Sequence, residues 1–143
     1  MVRQSCMAFT RTIPALPVLD IAAATQFYAE RFGFTAAYDD NGFARVVRDE
    51  AEIHLWQASD EQWKNRADFM INPVCSGAED FIAGTASCRI AVAGIDEVYA
   101  EMAVTGVLHY RDQGSAVDTA WNTREFATTD FDGNLLTFYE RRG

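Results

Sequence analysis

An α+β protein made of two tandem βαβββ units, which form a curved mixed sheet with helices on its outer face, is what this sequence predicts. Three observations carry the prediction. The order strand, helix, three strands occurs twice; both helices carry the same three letters at the same place, Tyr28-Ala29-Glu30 and Tyr99-Ala100-Glu101; and Asn41-Gly42 and Asp132-Gly133 mark a strand-to-strand turn in each half. The three-letter match is weak alone, but with the repeated order an internal duplication is the better explanation. The chain reads as one domain, 1–143, with units at 12–57 and 87–140 and an insert at 58–86. Two sheets of this kind, each with a helix on its back, enclose a cavity when paired.

The first strand runs from Thr12 to Val18, and its Pro14 and Pro17 suit a sheet edge because each removes a backbone donor. Asp20 is an N-cap candidate. Ile21, Ala24, Phe27 and Tyr28 then recur at helical spacing up to Gly33, which fits the position after a helix end. Phe34–Asp39 and Phe43–Arg48 are β-like runs around the turn at Asp40-Asn41-Gly42, and Glu52–Gln57 is a further strand. From Ala58 to Thr85 apolar residues such as Trp63 and Phe69 mix with charges, Asn72-Pro73 and glycines, which reads as a loop or short helix folding over something. In the second half Cys88–Ala93 is a strand, and Ile95, Val98, Tyr99 and Met102 mark a helix ending at Gly106. Val107–Arg111, Arg124–Thr129 and Asn134–Glu140 read as the last three strands, and 113–122 as a flexible approach to Trp121.

With 49% apolar residues the chain can build a real core. A formal charge of −9 argues against nucleic-acid and anionic-membrane partners and suits a cationic ligand. No run approaches the ~20 apolar residues of a membrane span, and the N-terminal stretch lacks the apolar core of a signal peptide, so the expected location is the cytoplasm. Cys6, Cys75 and Cys88 form no even disulfide set and no C-x-x-C pair, as expected in a reducing compartment. No nucleophile beside a base, no paired carboxylates on one strand face and no phosphate loop stands out, so the residues give no sign of catalysis.

In the last strand Leu136 and Phe138 face one way while Leu135, Thr137 and Tyr139 face the other, and neither face is fully polar. The second face must line a ligand cavity or meet another chain.

Six strings stand out: I-P-A-L-P-V-L-D at 13–20, F-Y-A-E-R-F-G-F at 27–34, F-A-R-V-V-R-D at 43–49, Y-A-E-M at 99–102, W-N-T-R-E-F at 121–126 and D-F-D-G-N-L-L-T-F-Y-E at 130–140. They resemble the glyoxalase-like, or vicinal oxygen chelate, superfamily, and within it the bleomycin resistance proteins. Superfamily enzymes hold a divalent metal on four inward strand positions, which this resemblance maps to Ile13, His54, Arg89 and Thr137. Only His54 is a metal-ligand type, so no metal and no cofactor is expected. The resistance branch implies a homodimer with possible exchange of the first strand, near Pro14, and two clefts that sequester bleomycin-type cationic glycopeptides reversibly. The alternative is a metal-dependent lyase, dioxygenase or transferase of the same fold.

The resemblance places Phe43 and Trp121 where that branch grips a flat heteroaromatic ring. Stacking and cation–π attraction contribute roughly 0.5–2 kcal/mol each, although the same two residues would also serve ordinary core packing. Trp56 shares a strand face with Glu52 and His54, so all three line one wall or pack structurally. His54 offers a hydrogen bond in the cleft or is satisfied by a neighbour; His109 reads as structural. Thr137 and Tyr139 present hydroxyls for polar parts of a glycopeptide, or pack within the sheet. Asp39, Asp40, Asp49, Glu50, Asp112 and Asp118 would either give the cleft a negative field or form a solvated rim. Trp63 and Phe69 would cover the cleft or pack outside the sheet.

Overall fold

Alternation of side chains writes the first sheet. The computed structural model describes residues 6–58 and 82–143, and in it β1 (Ala15–Val18), β2 (Thr35–Asp39), β3 (Phe43–Arg48) and β4 (Ala51–Gln57) lie in the order β1-β4-β3-β2. Ala44 and Val46 on β3, and Ile53 and Leu55 on β4, are buried, so the residues between them face the other way. β1 runs parallel to β4 at the sheet edge, where its Pro17 faces the unpaired outer side and costs no ladder bond. The remaining pairs are antiparallel.

The second half repeats the plan with β5 (Ser87–Ala91), β6 (Val117–Asp118), β7 (Thr123–Thr129) and β8 (Leu135–Arg141), in the order β5-β8-β7-β6 with β5 parallel to β8. Two four-stranded mixed sheets with two helices are thus the α+β architecture expected from the sequence. The insert, with Trp63 and Phe69, lies mostly outside the described residues.

Helix α1 (Ile21–Phe27) starts at Asp20, whose carboxylate accepts the Ala23 amide at 2.8 Å. A wider π-type turn over Tyr28–Phe32 continues it, and the chain leaves at Gly33 with φ +73°, a left-handed conformation that a side chain resists. Helix α2 (Ile95–Thr105) has no side-chain cap of its own. Instead the Glu140 carboxylate of β8 accepts the Gly94 and Ile95 amides at 3.0 and 3.3 Å. The buried faces of both helices and both sheets form one core that includes Leu16, Tyr28, Phe32, Leu55, Leu136 and Phe138.

Two readings of the sequence need correction. Val107–Arg111 is not a strand: only Leu108 bridges, to Thr128, and the chain then turns as the Asp112 amide donates to the His109 carbonyl and the Arg111 amide to His109 Nδ1. The place beside β7 passes to Val117–Asp118, inside the stretch read as flexible, because the turn at 109–114 consumes the residues that would have continued the ladder. The Asp132-Gly133 turn joins β7 to β8 over residues 130–134. Asp130 begins it, its carbonyl accepting the Gly133 amide at 3.1 Å and its carboxylate accepting the Asp132 and Asn134 amides.

That turn joins the halves. Tyr28 donates to Asp130 Oδ2 at 2.8 Å, the Asn134 amide group to the Pro17 carbonyl at 2.8 Å, and the Leu19 amide to Asp132 at 2.9 Å. Gly84 is forced there, since a Cβ on it would stand 2.3 Å from the Asp132 carbonyl oxygen.

Candidate functional site

Strand alternation determines what the helix-free faces of the two sheets offer. On the first sheet, Phe43 of β3 pairs in register with Trp56 of β4, and Arg45 with His54. The Phe43 ring meets His54 and Trp56 edge-on, with centroids 5.0 and 4.8 Å away. Beneath them Glu52, with a side chain 10% exposed, accepts His54 Nε2 at 2.8 Å, Arg45 at 3.2 Å and Arg11 at 3.3 Å. The hydrogen bond from His54, aided by the two arginines against the cost of desolvation, holds the Glu52 carboxyl below the usual carboxylate range.

On the second sheet the register sets Arg89 beside Thr137 and Glu125 beside Tyr139. Arg89 lies over the Tyr139 ring at 4.6 Å and forms a two-point pair with Glu125 at 2.8 and 3.3 Å. Thr123 and the Trp121 indole donate to the same carboxylate at 2.8 and 3.4 Å. The pair with Arg89 holds the Glu125 carboxyl below the usual carboxylate range, and Glu125 pushes the Arg89 guanidinium above its own, so both groups stay charged. Trp121 sits at the tip of a turn closed by bonds between Thr119 and Thr123, and is followed by Asn122 at φ +66°. At 64% exposed, it is no core residue in a single chain.

All six residues singled out in the sequence therefore lie outside the core, in two groups. Phe43 touches both His54 and Trp56 on the first sheet, while Trp121, Thr137 and Tyr139 gather around Arg89 and Glu125 on the second. Phe43 and Trp121 share no ring contact among the described residues. A hollow of about 250 Å³ is lined from both sheets, by Pro14, Glu52, Arg89 and neighbours. A larger cavity, about 470 Å³, adjoins it at Glu50, Ala51, Ile90 and Ala91, is also lined by Phe34, Val98, Met102 and Phe138, and is lined by none of the six.

The sequence profile of the Glyoxalase/Bleomycin resistance protein/Dioxygenase superfamily matches residues 10–138. The chain belongs to this superfamily. Bleomycin resistance proteins of Geobacillus stearothermophilus and Staphylococcus aureus are each 48% identical to it over 131 residues, 92% of this chain and 96% of theirs. Among solved structures, a bleomycin-binding protein from bleomycin-producing Streptomyces verticillus, complexed with copper(II)-bleomycin, is similar in fold, with a TM-score of 0.68. It is 23% identical, with 96% of this chain and 98% of that one covered.

The residues that the resemblance maps to metal positions, His54, Arg89 and Thr137 with Ile13, are not a donor set for a metal ion. Register places Ala15, and not Ile13, beside His54, and sets a guanidinium, Arg89, beside the hydroxyl of Thr137. His54 is already bonded to Glu52, and Arg89 to Glu125. Among the described residues no group of three or more His, Cys, Asp or Glu could hold a metal ion. Burial pushes the Cys88 thiol up to about 11, so it is no reactive thiolate at neutral pH.

The acidic residues expected around the cleft serve turns and pairs. Asp40 accepts the Gly42 amide and the Tyr38 hydroxyl, Asp112 accepts Tyr99 and the Gly114 amide, and Asp118 pairs with Arg124. Asp39, Asp49 and Glu50 are exposed. The residues that sequence reasoning left without a role are Arg89 and Glu125. The R-E-F string contains Glu125, but a strand register is needed to bring it to Arg89, 36 residues away.

Proposed function

We propose that this protein binds bleomycin-type cationic glycopeptides reversibly and confers resistance by sequestration, without chemistry on the drug. The carrying observation is that aromatic groups, Phe43 with Trp56 on one sheet and Trp121 with Tyr139 on the other, lie outside the core beside positions of which only His54 is a metal-ligand type. Flat electron-rich faces of this kind suit a planar cationic ligand. The bleomycin resistance proteins 48% identical to this chain support the same reading.

A homodimer is the natural assembly for it, with two clefts and possible exchange of the first strand. The two aromatic groups do not meet within one chain, so an opposing copy would set the first sheet of one chain against the second sheet of the other. Thr137 and Tyr139 would bind polar parts of the drug, with His54 as a further hydrogen-bonding group. No described helix is long and apolar enough to cross a membrane, and a cytoplasmic location goes with the reading.

The test is expression in a bleomycin-sensitive bacterium. Survival should rise, and drug recovered from the purified complex should keep its original mass and potency. Recovery of altered drug, or a stoichiometric divalent metal in the pure protein that is lost with His54, would favour the enzymatic alternative.

A further inference from the structure

We infer that Glu125 is a positioning residue for the ligand-facing wall of the second sheet: its single carboxylate fixes the Trp121 indole and the Arg89–Tyr139 stack in one arrangement. The inference rests on the binding reading above, and adds to it a residue that touches no ligand yet sets the pose of those that do.

The geometry is specific. Both oxygens of Glu125 are occupied by the Arg89 guanidinium, and Oε2 also accepts Thr123 and Trp121. The Glu125 side chain is only 13% exposed, whereas Arg89 is 47% and Trp121 64% exposed. The anchor is thus sheltered and the groups it holds are presented. Arg89 is pinned from two directions, in plane by the carboxylate and face-on by Tyr139. The backbone prepares the same pose: Thr119 and Thr123 close the turn that carries Trp121, and the Asn122 side chain and carbonyl are tied to Arg142. What the backbone leaves free is rotation of the indole, and the Glu125 contact at 3.4 Å restrains it. An exposed tryptophan would otherwise sample several rotamers, and each must be given up on stacking.

The first sheet has a counterpart. Glu52, equally sheltered, holds two arginines and His54, whose ring carries Phe43 and through it Trp56. Each half therefore builds its aromatic face on one saturated carboxylate.

The test uses the full chain in the variants Glu125→Ala and Glu125→Gln. The three tryptophans give three indole N–H signals in a nitrogen–proton correlation spectrum, and the Trp121 signal is the one lost in Trp121→Phe. In Glu125→Ala this signal should shift and exchange faster with water while the others stay. Glu125→Gln, which keeps an acceptor oxygen, should change it less. An unchanged Trp121 signal in Glu125→Ala overturns the positioning role whether or not the drug binds.

The second arm is affinity for bleomycin. Glu125→Ala should weaken it about fivefold in the native background and less than about twofold when Trp121 is already alanine, because coupled residues do not add. An equal loss in both backgrounds overturns the inference. Absence of bleomycin binding by the native protein overturns the binding reading itself and the ligand-facing half of this one.

Discussion

The Tyr28 hydroxyl donates to Asp130 Oδ2 at 2.8 Å across 102 positions of sequence, between two buried side chains. Burial, and then the Asp130 charge, push the Tyr28 hydroxyl well above its usual range, so it remains a donor at any physiological pH. Asp130 also organises the turn through the Asp132 and Asn134 amides. Tyr28→Phe should therefore cost about 1.5–3 kcal/mol, the range for a buried hydrogen bond to a charged group. Urea unfolding at pH 7 reads this as a lower midpoint with unchanged slope. A loss below about 0.5 kcal/mol would show that the halves do not depend on this bond.

The D-F-D-G-N string shows how far the sequence could be read. A turn was legible, because Asp-Gly has the conformational freedom a turn needs. That it is also the clasp between the halves was not, since Tyr28, Pro17 and Leu19 are brought to it by the fold alone. Alternation likewise separated Leu136 and Phe138 from Thr137 and Tyr139, because period-two burial is local. The strand expected at Val107–Arg111 failed because His109 offers its own ring nitrogen to the Arg111 amide, a turn that hydrophobic pattern does not reveal. Glu52, His54 and Trp56 were legible as one strand face, and Phe43 through the family resemblance. The anchoring roles of Glu52 and Glu125 were not, since a carboxylate's partners depend on register.

Glu52 leads to a prediction about pH. Its carboxyl titrates below the usual range in the folded protein, first through His54 and then through Arg11 and Arg45. A lowered folded value means that the charged form stabilises the fold above the unfolded value, about 4.3, and that this contribution disappears as pH falls through the folded value. Glu52→Gln should thus be less stable than the native protein at pH 7, with the difference shrinking steadily below about pH 4. Melting temperatures across that range test it. A difference that stays constant from pH 7 to pH 3 would show that the charge of Glu52 contributes nothing.

Trp121 is exposed, so its replacement should separate binding from stability. Trp121→Ala should weaken bleomycin by at least about 1 kcal/mol, close to fivefold, while unfolding changes by no more than about 0.5 kcal/mol. Parallel calorimetry and urea unfolding make the comparison. A large loss of stability with unchanged affinity would make Trp121 a structural residue of the assembled protein.

The central claim is reversible sequestration, and calorimetric titration of the native protein with bleomycin, followed in parallel by tryptophan emission, tests it most directly. The account predicts saturable heat, a shift in emission and a dissociation constant of about 1 μM or lower, which corresponds to roughly −8 kcal/mol. No heat and unchanged emission at about 1 mM drug would contradict it.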